Sequence, residues 1–564
     1  MMPATLSIAC KRGLDTEAWL QRLVLAAGVL FLVLTLLAPL LTMLVKSVQN
    51  RDGVFIGLSN FIDYFGNPAL TDSILNSLTV AFWTTTIVIS IAFVFAYALT
   101  RSGMAGKKGF RLLSMLPLFA PSLLPALSMI YLFGNQGILK DWLPFESIYG
   151  SAGIVMGLSF WAFPHALMIL ITAFSNSDAR LYEAAKSMKT PPWRVFLTVT
   201  LPSVRYGLIN TIFVIFTLTI TDFGVAKVIG GQYNVLATDI YKQVVGQQNF
   251  QMGAVVSVVL LLPALVSFIV ERRVQRHQSA QLSARAVPLQ PQKAPLRDAL
   301  LTGFCTLVCG FLLLVIGMAI YASFITFWPY NMALSLNNYR FDMMDGGGWA
   351  SYFNSLQMSA WTALIGTAVV FLIAYMNEKI KPMPMVRRVL QLLAMLPMAV
   401  PGIVLGLAYI FFFNHPQNPL NLMYGTMAIL VLNTLVHFYT VCHLTAVTSL
   451  KQIDGEFEAV SASLKVPFYT TLRRVTLPLA LPAVLDISVY LFVNAMTTVS
   501  AVVFLYSADT TLASVAVMHM DEAGDIAPAA AMAVLLMVTS MVAKLLHWLV
   551  SHKILLHTQR WRKL

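Results

Sequence analysis

Apolar runs of about 20 residues recur along this chain, each long enough to cross a bilayer as helix. Six fall in the first half, near residues 23–45, 75–99, 112–133, 152–173, 206–228 and 252–270. Six more follow near 301–320, 356–376, 390–412, 423–447, 483–506 and 529–550. The pattern predicts an all-α membrane protein with about 12 transmembrane helices. Prolines interrupt the third run (Pro117, Pro121, Pro125) and the ninth (Pro397, Pro401). Each removes a backbone donor and kinks its helix, and in lipid the freed carbonyls need protein or water partners. The kinks are expected either to serve packing in a bundle or to mark helices that flex or line a path.

The halves are a direct repeat. Asn76-Ser77-Leu78 matches Asn354-Ser355-Leu356, and Leu58-Ser59-Asn60-Phe61 parallels Leu336-Asn337-Asn338-Tyr339. Met115-Leu116-Pro117 matches Met395-Leu396-Pro397. Six spans per half is an even number, so both halves keep one orientation and form a parallel repeat. Residues 1–270 and 298–564 read as the two six-helix halves. Between them, residues 271–297 are rich in Arg, Gln, Ser and Pro and read as a flexible cytoplasmic linker. Gly346-Gly347-Gly348 is expected to make the outer segment before the eighth span mobile.

Composition agrees. Only 11% of residues are charged and 58% are hydrophobic, whereas soluble domains carry about 25% charge. The net charge of +13 raises the question of nucleic acid, and placement answers it. With the N-terminus inside, the outer segments hold Lys46, Arg51, Lys140, Lys227, Lys242 and Arg340, leaving 31 of the 37 basic residues on the inner side. That asymmetry orients the chain with both termini cytoplasmic and needs no nucleic-acid partner. The four cysteines and the scattered histidines have no metal-ligand spacing.

One polar, basic stretch occurs twice in this apolar chain: 182–202, YEAAKSMKTPPWRVFLTVTLP, and 458–478, EAVSASLKVPFYTTLRRVTLP. Both end in Val-Thr-Leu-Pro, at Val199–Pro202 and Val475–Pro478, and an apolar span follows each. The first copy reads as a short helix from Glu183-Ala184-Ala185, a break at Thr190-Pro191-Pro192, and a second helix that Pro202 resets before the fifth span. Such a helix–break–helix, set parallel to the membrane, would present a knob to a cytoplasmic partner.

These residues resemble the EAA loop of binding-protein-dependent ABC importer permeases. Glu183, Ala184, Ala185, Leu201 and Pro202 fit that loop, with Lys189 in its Gly slot. In the second copy Leu477 and Pro478 fit and Lys465 takes the Gly slot. Ala459 stands where Glu is expected, with Glu458 one place earlier, which points to different contact chemistry at the second copy. With Lys in both slots, the sequence gives no ground for a left-handed turn there. The resemblance covers nearly all of both halves. It implies the type I importer permease fold and a multi-pass subunit of the inner membrane. The implied partners are two copies of a cytoplasmic ABC ATPase and a periplasmic substrate-binding protein. The chain has no G-x-x-x-x-G-K-[ST] phosphate cradle, so it is not expected to be an enzyme. ATP and Mg would belong to the ATPase.

Spans five and eleven follow the loops directly and are polar. Thr221, Asp222, Asn494, Thr497 and Thr498 are candidates for the translocation path, since a carboxylate at membrane depth should face the bundle interior. Thr221–Gly224 (TDFG) and Met496–Ser500 (MTTVS) look like the permease branch for ferric iron, thiamine, polyamines and phosphonates. Residues 227–238 look most like its 2-aminoethylphosphonate subgroup, with ferric iron as the alternative cargo. An ion-coupled secondary transporter is the competing class, but it has no use for a duplicated loop before spans five and eleven.

Overall fold

The computed structural model describes the backbone of residues 4–142, 144, 146–281, 289, 291, 293–379 and 383–558, and their side chains apart from 4–16, 275–281 and 554–558. Among the described residues, nine helices are long and apolar enough to cross a membrane. Three bent helix pairs raise the number to as many as 12. Each of the twelve apolar runs corresponds to one of these. The third span is the pair Lys107–Phe119 and Leu123–Phe133, bent by 103°, and the ninth is Pro384–Ala399 and Gly402–Phe413, bent by 115°. The proline clusters therefore turn the chain through a right angle or more. Pro117 and Pro397 lie in 3₁₀ turns, and Pro121 and Pro401 at the breaks themselves.

Spans five and eleven end earlier than their apolar runs. The fifth is helical over Pro192–Ile220 and the eleventh over Phe468–Thr497. Beyond these points the backbone unwinds, at 221–223 and from 498 onward. The stretch read as a linker is partly ordered. The sixth-span helix continues to Gln281, and the seventh span begins at Pro295. Residues 282–288, 290 and 292 lie outside the described residues.

The chain condenses into two units that cut across the sequence halves. One comprises Met1–Lys46, Ala350–Ala513 and Val538–Leu564, and the other Ser47–Trp349 and Ser514–Met537. The first span thus belongs with spans eight to eleven, and Tyr409 Oη donates to the Thr35 carbonyl at 2.7 Å. That carbonyl lies within a wide π turn, Val33–Leu37. The seventh span, Pro295–Phe324, packs within the other unit on spans two and three.

The repeated motifs are hydrogen-bond pins. Asn60 donates to the carbonyls of Ser47 and Gln49, and Asn338 donates to those of Ser323 and Ile325. Ser77 Oγ accepts from Leu236 N–H and Ser355 Oγ from Ala513 N–H, both at 2.8 Å. Asn76 and Asn354 donate to carbonyls of the same outer loops. The Gly346–Gly348 run is a built turn. All three glycines have positive φ, and a Cβ on Gly346 would come within 3.1 Å of Ala516 backbone atoms. Just before it, Ile325–Phe327 and Asn331–Leu334 pair as a small antiparallel hairpin that the apolar pattern did not suggest.

Since each compact unit takes spans from both halves, residues 1–270 or 298–564 expressed alone should give no protease-resistant core. The two fragments expressed together should give one, scored by limited trypsin digestion in detergent.

Candidate docking elements and path residues

Each repeated segment is built the same way, from an acidic cap to a wide turn just before a proline. Asp178 accepts from Arg180 N–H and Asp454 from Glu456 N–H, both at 3.1 Å. These carboxylates satisfy free donors at the starts of helices Ala179–Ser187 and Glu456–Ser463. The first helix thus begins before Glu183, not at it. The two caps occupy equivalent positions, so the repeat extends further back than its quoted motif.

Each helix ends in a Schellman motif. Lys189 N–H bonds to Lys186 O and Thr190 N–H to Ala185 O. Lys465 N–H bonds to Ala462 O and Val466 N–H to Ser461 O. That geometry puts the residue after the cap in the left-handed region, and Lys189 and Lys465 sit there at φ +50° and +53°. The turn survives without glycine, because its two hydrogen bonds and the proline-led helix after it fix the backbone. The absence of Gly from the slot did not abolish the left-handed turn.

The second helix of each segment runs unbroken into its span. Pro202 and Pro478 do not reset the chain. Leu201 N–H bonds back to Phe196 O and Leu477 N–H to Leu472 O, each five residues earlier, in π turns Phe196–Thr200 and Leu472–Thr476. A proline inside an α-helix lacks a donor and strikes the carbonyl four residues back. One widened turn before it makes room and lets the helix go on. Repeated segment and span are therefore one rod.

What the segments present differs from the sequence expectation. Glu183, Ala184 and Lys189 are exposed and Ala185 is buried; Leu201 is half-buried and Pro202 exposed. Ala459, Lys465, Leu477 and Pro478 are exposed. Glu458 is turned inward, its Oε2 3.4 Å from Lys379 Nζ. It therefore does not stand in for Glu183 on the outer face of the segment. Sequence reasoning missed the apolar residues there. Leu181, Met188 and Trp193 are exposed on the first segment, and Phe457, Leu464 and Tyr469 on the second. The triads match position for position along the repeat. Met188 is 73% and Leu464 70% exposed, and Trp193 67% and Tyr469 58%. Large exposed apolar side chains are the kind of surface a protein contact uses.

The path candidates lie where spans five and eleven unwind. Thr221 and Asp222 belong to one unit, and Asn494, Thr497 and Thr498 to the other. Thr221 and Thr497 hydroxyls donate to carbonyls four residues back, as does the Asn494 amide. Asp222 Oδ2 accepts from Val225 N–H at 2.9 Å and caps the short helix Gly224–Ile229. A reciprocal contact fixes each unwound end against a bent span. A Cβ on Gly224 would overlap Ser122 Oγ, and a Cβ on Gly402 would come 2.6 Å from Ser500 Oγ. Ser500 is the repeat equivalent of Gly224, and Gly402 is the equivalent of Ser122. The same close approach is made with glycine and serine exchanged.

Each unit also carries one charged feature of note. Asp486, half a span in from Pro478, lines a cavity of about 770 Å³ with Thr445, Thr448, Ser449 and Asp454. Its side chain is 57% exposed and sits 3.2 Å from His547. Lys227 pairs with Glu522 at 2.6 Å and lies 4.8 Å from the Tyr241 ring centroid. Beside that pair, burial and then the Glu522 charge push the Asp521 carboxyl up to about 7, against the pull of Lys227. Among the described residues no cluster of His, Cys, Asp and Glu could hold a metal ion.

Residues 89–279 and 370–555 each match the family described as binding-protein-dependent transport system inner membrane component. The ferric transport system permease protein FbpB of Actinobacillus pleuropneumoniae is 28% identical over 80% of this chain and 68% of its own. A putative ferric transport system permease protein FbpB 1 of Haemophilus influenzae is 28% identical over 87% of this chain and 80% of its own. The spermidine/putrescine transport system permease protein PotB of Haemophilus influenzae is 27% identical over 45% of this chain and 93% of its own.

Lys189→Gly and Lys465→Gly should each stabilise their segment by about 0.5–1 kcal/mol. Left-handed strain of about 1–2 kcal/mol is relieved, offset by about 0.4–1 kcal/mol of extra freedom in the unfolded chain. Slower amide exchange at 184–190 and 460–466 measures this. Gly224→Ala should cost about 1–3 kcal/mol through overpacking, read as a fall in thermal stability in detergent, and adding Ser122→Gly should restore most of it.

Proposed function

Because the chain belongs to the family of binding-protein-dependent transport system inner membrane components, we propose that it is the fused permease of an ABC importer for ferric iron. In this reading the two repeated segments dock two cytoplasmic ATPases. The observation that carries it is the pair of matched apolar triads, each exposed on a segment that continues as a rod into a span. ATP would bind, with Mg²⁺, to the partner subunits. Their closure would move both rods and open the bundle toward a loaded substrate-binding protein, and hydrolysis would reset it. Both termini would be cytoplasmic.

The cargo rests on the ferric names of the relatives and on donor chemistry. Thr221, Asp222, Asn494, Thr497 and Thr498 offer oxygen ligands, the kind that suit a hard cation, and we extend the path to Asp486 on its open cavity. The 2-aminoethylphosphonate cargo suggested by residues 227–238 draws no such support. None of the relatives named above carries a phosphonate name. Those residues also have packing roles: Lys227 pairs with Glu522, the Asn234 carbonyl accepts from Asn76, and Thr238 Oγ1 accepts from Val235 N–H.

Co-expression with a candidate ATPase and binding protein tests the docking. Trp193→Ala with Tyr469→Ala should lower ATPase co-purification by about tenfold, equivalent to about 1.4 kcal/mol, without loss of membrane insertion. Undiminished co-purification would count against docking. Uptake of radiolabelled ferric iron into proteoliposomes tests the cargo. Asp222→Asn keeps an acceptor for Val225 N–H but removes the charge. It should slow ferric uptake by about tenfold at unchanged thermal stability; unchanged uptake would remove Asp222 from the path.

A further inference from the structure

The last turn of the second span of each half carries a basic residue, Arg101, buried, in the first and Lys379, half-buried, in the second. Arg101 Nη2 donates to Phe174 O at 2.8 Å, and its guanidinium lies 5.0 Å from the Tyr182 ring centroid. Lys379 Nζ donates to Ile453 O at 2.8 Å and pairs with Glu458 at 3.4 Å. Glu458 stands where the first segment has Tyr182. The same two positions therefore meet in both halves, once as a cation beside a ring and once as an ion pair.

The second segment has a further tie. Glu17 Oε1 accepts from Phe468 N–H at 2.8 Å. Phe468 opens the rod Phe468–Thr497, so its N–H lacks a partner within the helix. A carboxylate there meets both that donor and the positive end of the helix dipole. The position that matches Phe468 in the first segment is Pro192, which has no N–H to offer. A counterpart tie at that atom is chemically excluded. Glu17 lies on the first span, far away in sequence but in the same compact unit. Glu17, Lys379 and Glu458 line one cavity of about 170 Å³. Inside it, Glu458 Oε1 has no hydrogen-bond partner among the described residues, so Lys379 is what balances that carboxylate.

We propose that Lys379 and Glu17 are positioning residues for the second docking element. Lys379 holds helix Glu456–Ser463 to the end of the eighth span, and Glu17 holds the start of the rod to the first span. When the second element moves, the first span moves with it. The first element is held by Arg101 without that tie, so the two elements couple unequally to the membrane helices. The proposal rests on the docking role argued above.

Hydrogen–deuterium exchange of the full chain in lipid nanodiscs, with no partner present, tests it. Lys379→Met and Glu17→Ala should each speed exchange across residues 456–472 by about 2- to 30-fold, with residues 179–196 unchanged. Lys379→Arg keeps charge and donors and should exchange like the wild type. Unaltered exchange at 456–472 in both loss variants, or Lys379→Arg as fast as Lys379→Met, overturns the proposal. If Lys379→Met speeds exchange throughout the chain, the isosteric Glu458→Gln decides by the same criterion. With an ATPase present, Lys379→Met should reduce cargo moved per ATP hydrolysed while the ATPase still co-purifies; unchanged coupling overturns the proposal. A wild-type chain that binds no ATPase would sink the importer reading, and the exchange results would still judge Lys379 and Glu17.

Discussion

A proline must be carried inside a helix at the base of spans five and eleven without breaking it. Pro202 and Pro478 each lack a donor, and an ordinary turn would drive each ring into a carbonyl. The π turn before each one shifts the hydrogen-bond register by one position and keeps the rod whole. Force applied to a short surface segment then reaches the unwound ends at 221–223 and 498 along one continuous helix, which in span eleven also carries Pro482. If the rod broke at the proline, the exposed apolar triads would sit on a loop with no mechanical link to those unwound ends.

At its other end each rod stops against a bent span. Right-angle bends at the prolines of spans three and nine free backbone groups that lipid cannot satisfy, so these bends must sit inside protein. The glycine–serine contacts show how closely they do. Gly224 faces Ser122, and Gly402 faces Ser500, with the small residue on opposite partners in the two units. What the packing fixes is the combined volume of the pair, and the two halves reach it by different residues.

The same logic separates the two repeated segments. Both keep an acidic cap, a Schellman turn with lysine at positive φ, and three exposed apolar side chains. They diverge where each is fastened: Tyr182 beside Arg101 in one, Glu458 against Lys379 and Glu17 in the other. Glu458 is taken up in holding the segment, so the acidic residue expected on the outer face is missing from the second copy. The two segments thus share three matched exposed apolar side chains but differ in their outer charge and in how they are anchored.

The sequence by itself determined the class, the apolar runs that become spans, the repeat and the position of the two repeated segments. Each of these is written in local order: long apolar runs, motifs recurring at a nearly constant offset, prolines at fixed places. It also predicted where the third and ninth spans bend, though not by how much. It did not reveal that lysine holds the left-handed turn, because that depends on hydrogen bonds closing around it. It did not reveal that the fifth span begins before its proline, because a widened turn has no compositional mark. Nor could it assign the first and seventh spans to their compact units. In a direct repeat either copy offers the same apolar face, and only packing in three dimensions chooses between them. Glu17 and Phe468 meet for that reason alone, since nothing in the chain between them records the contact.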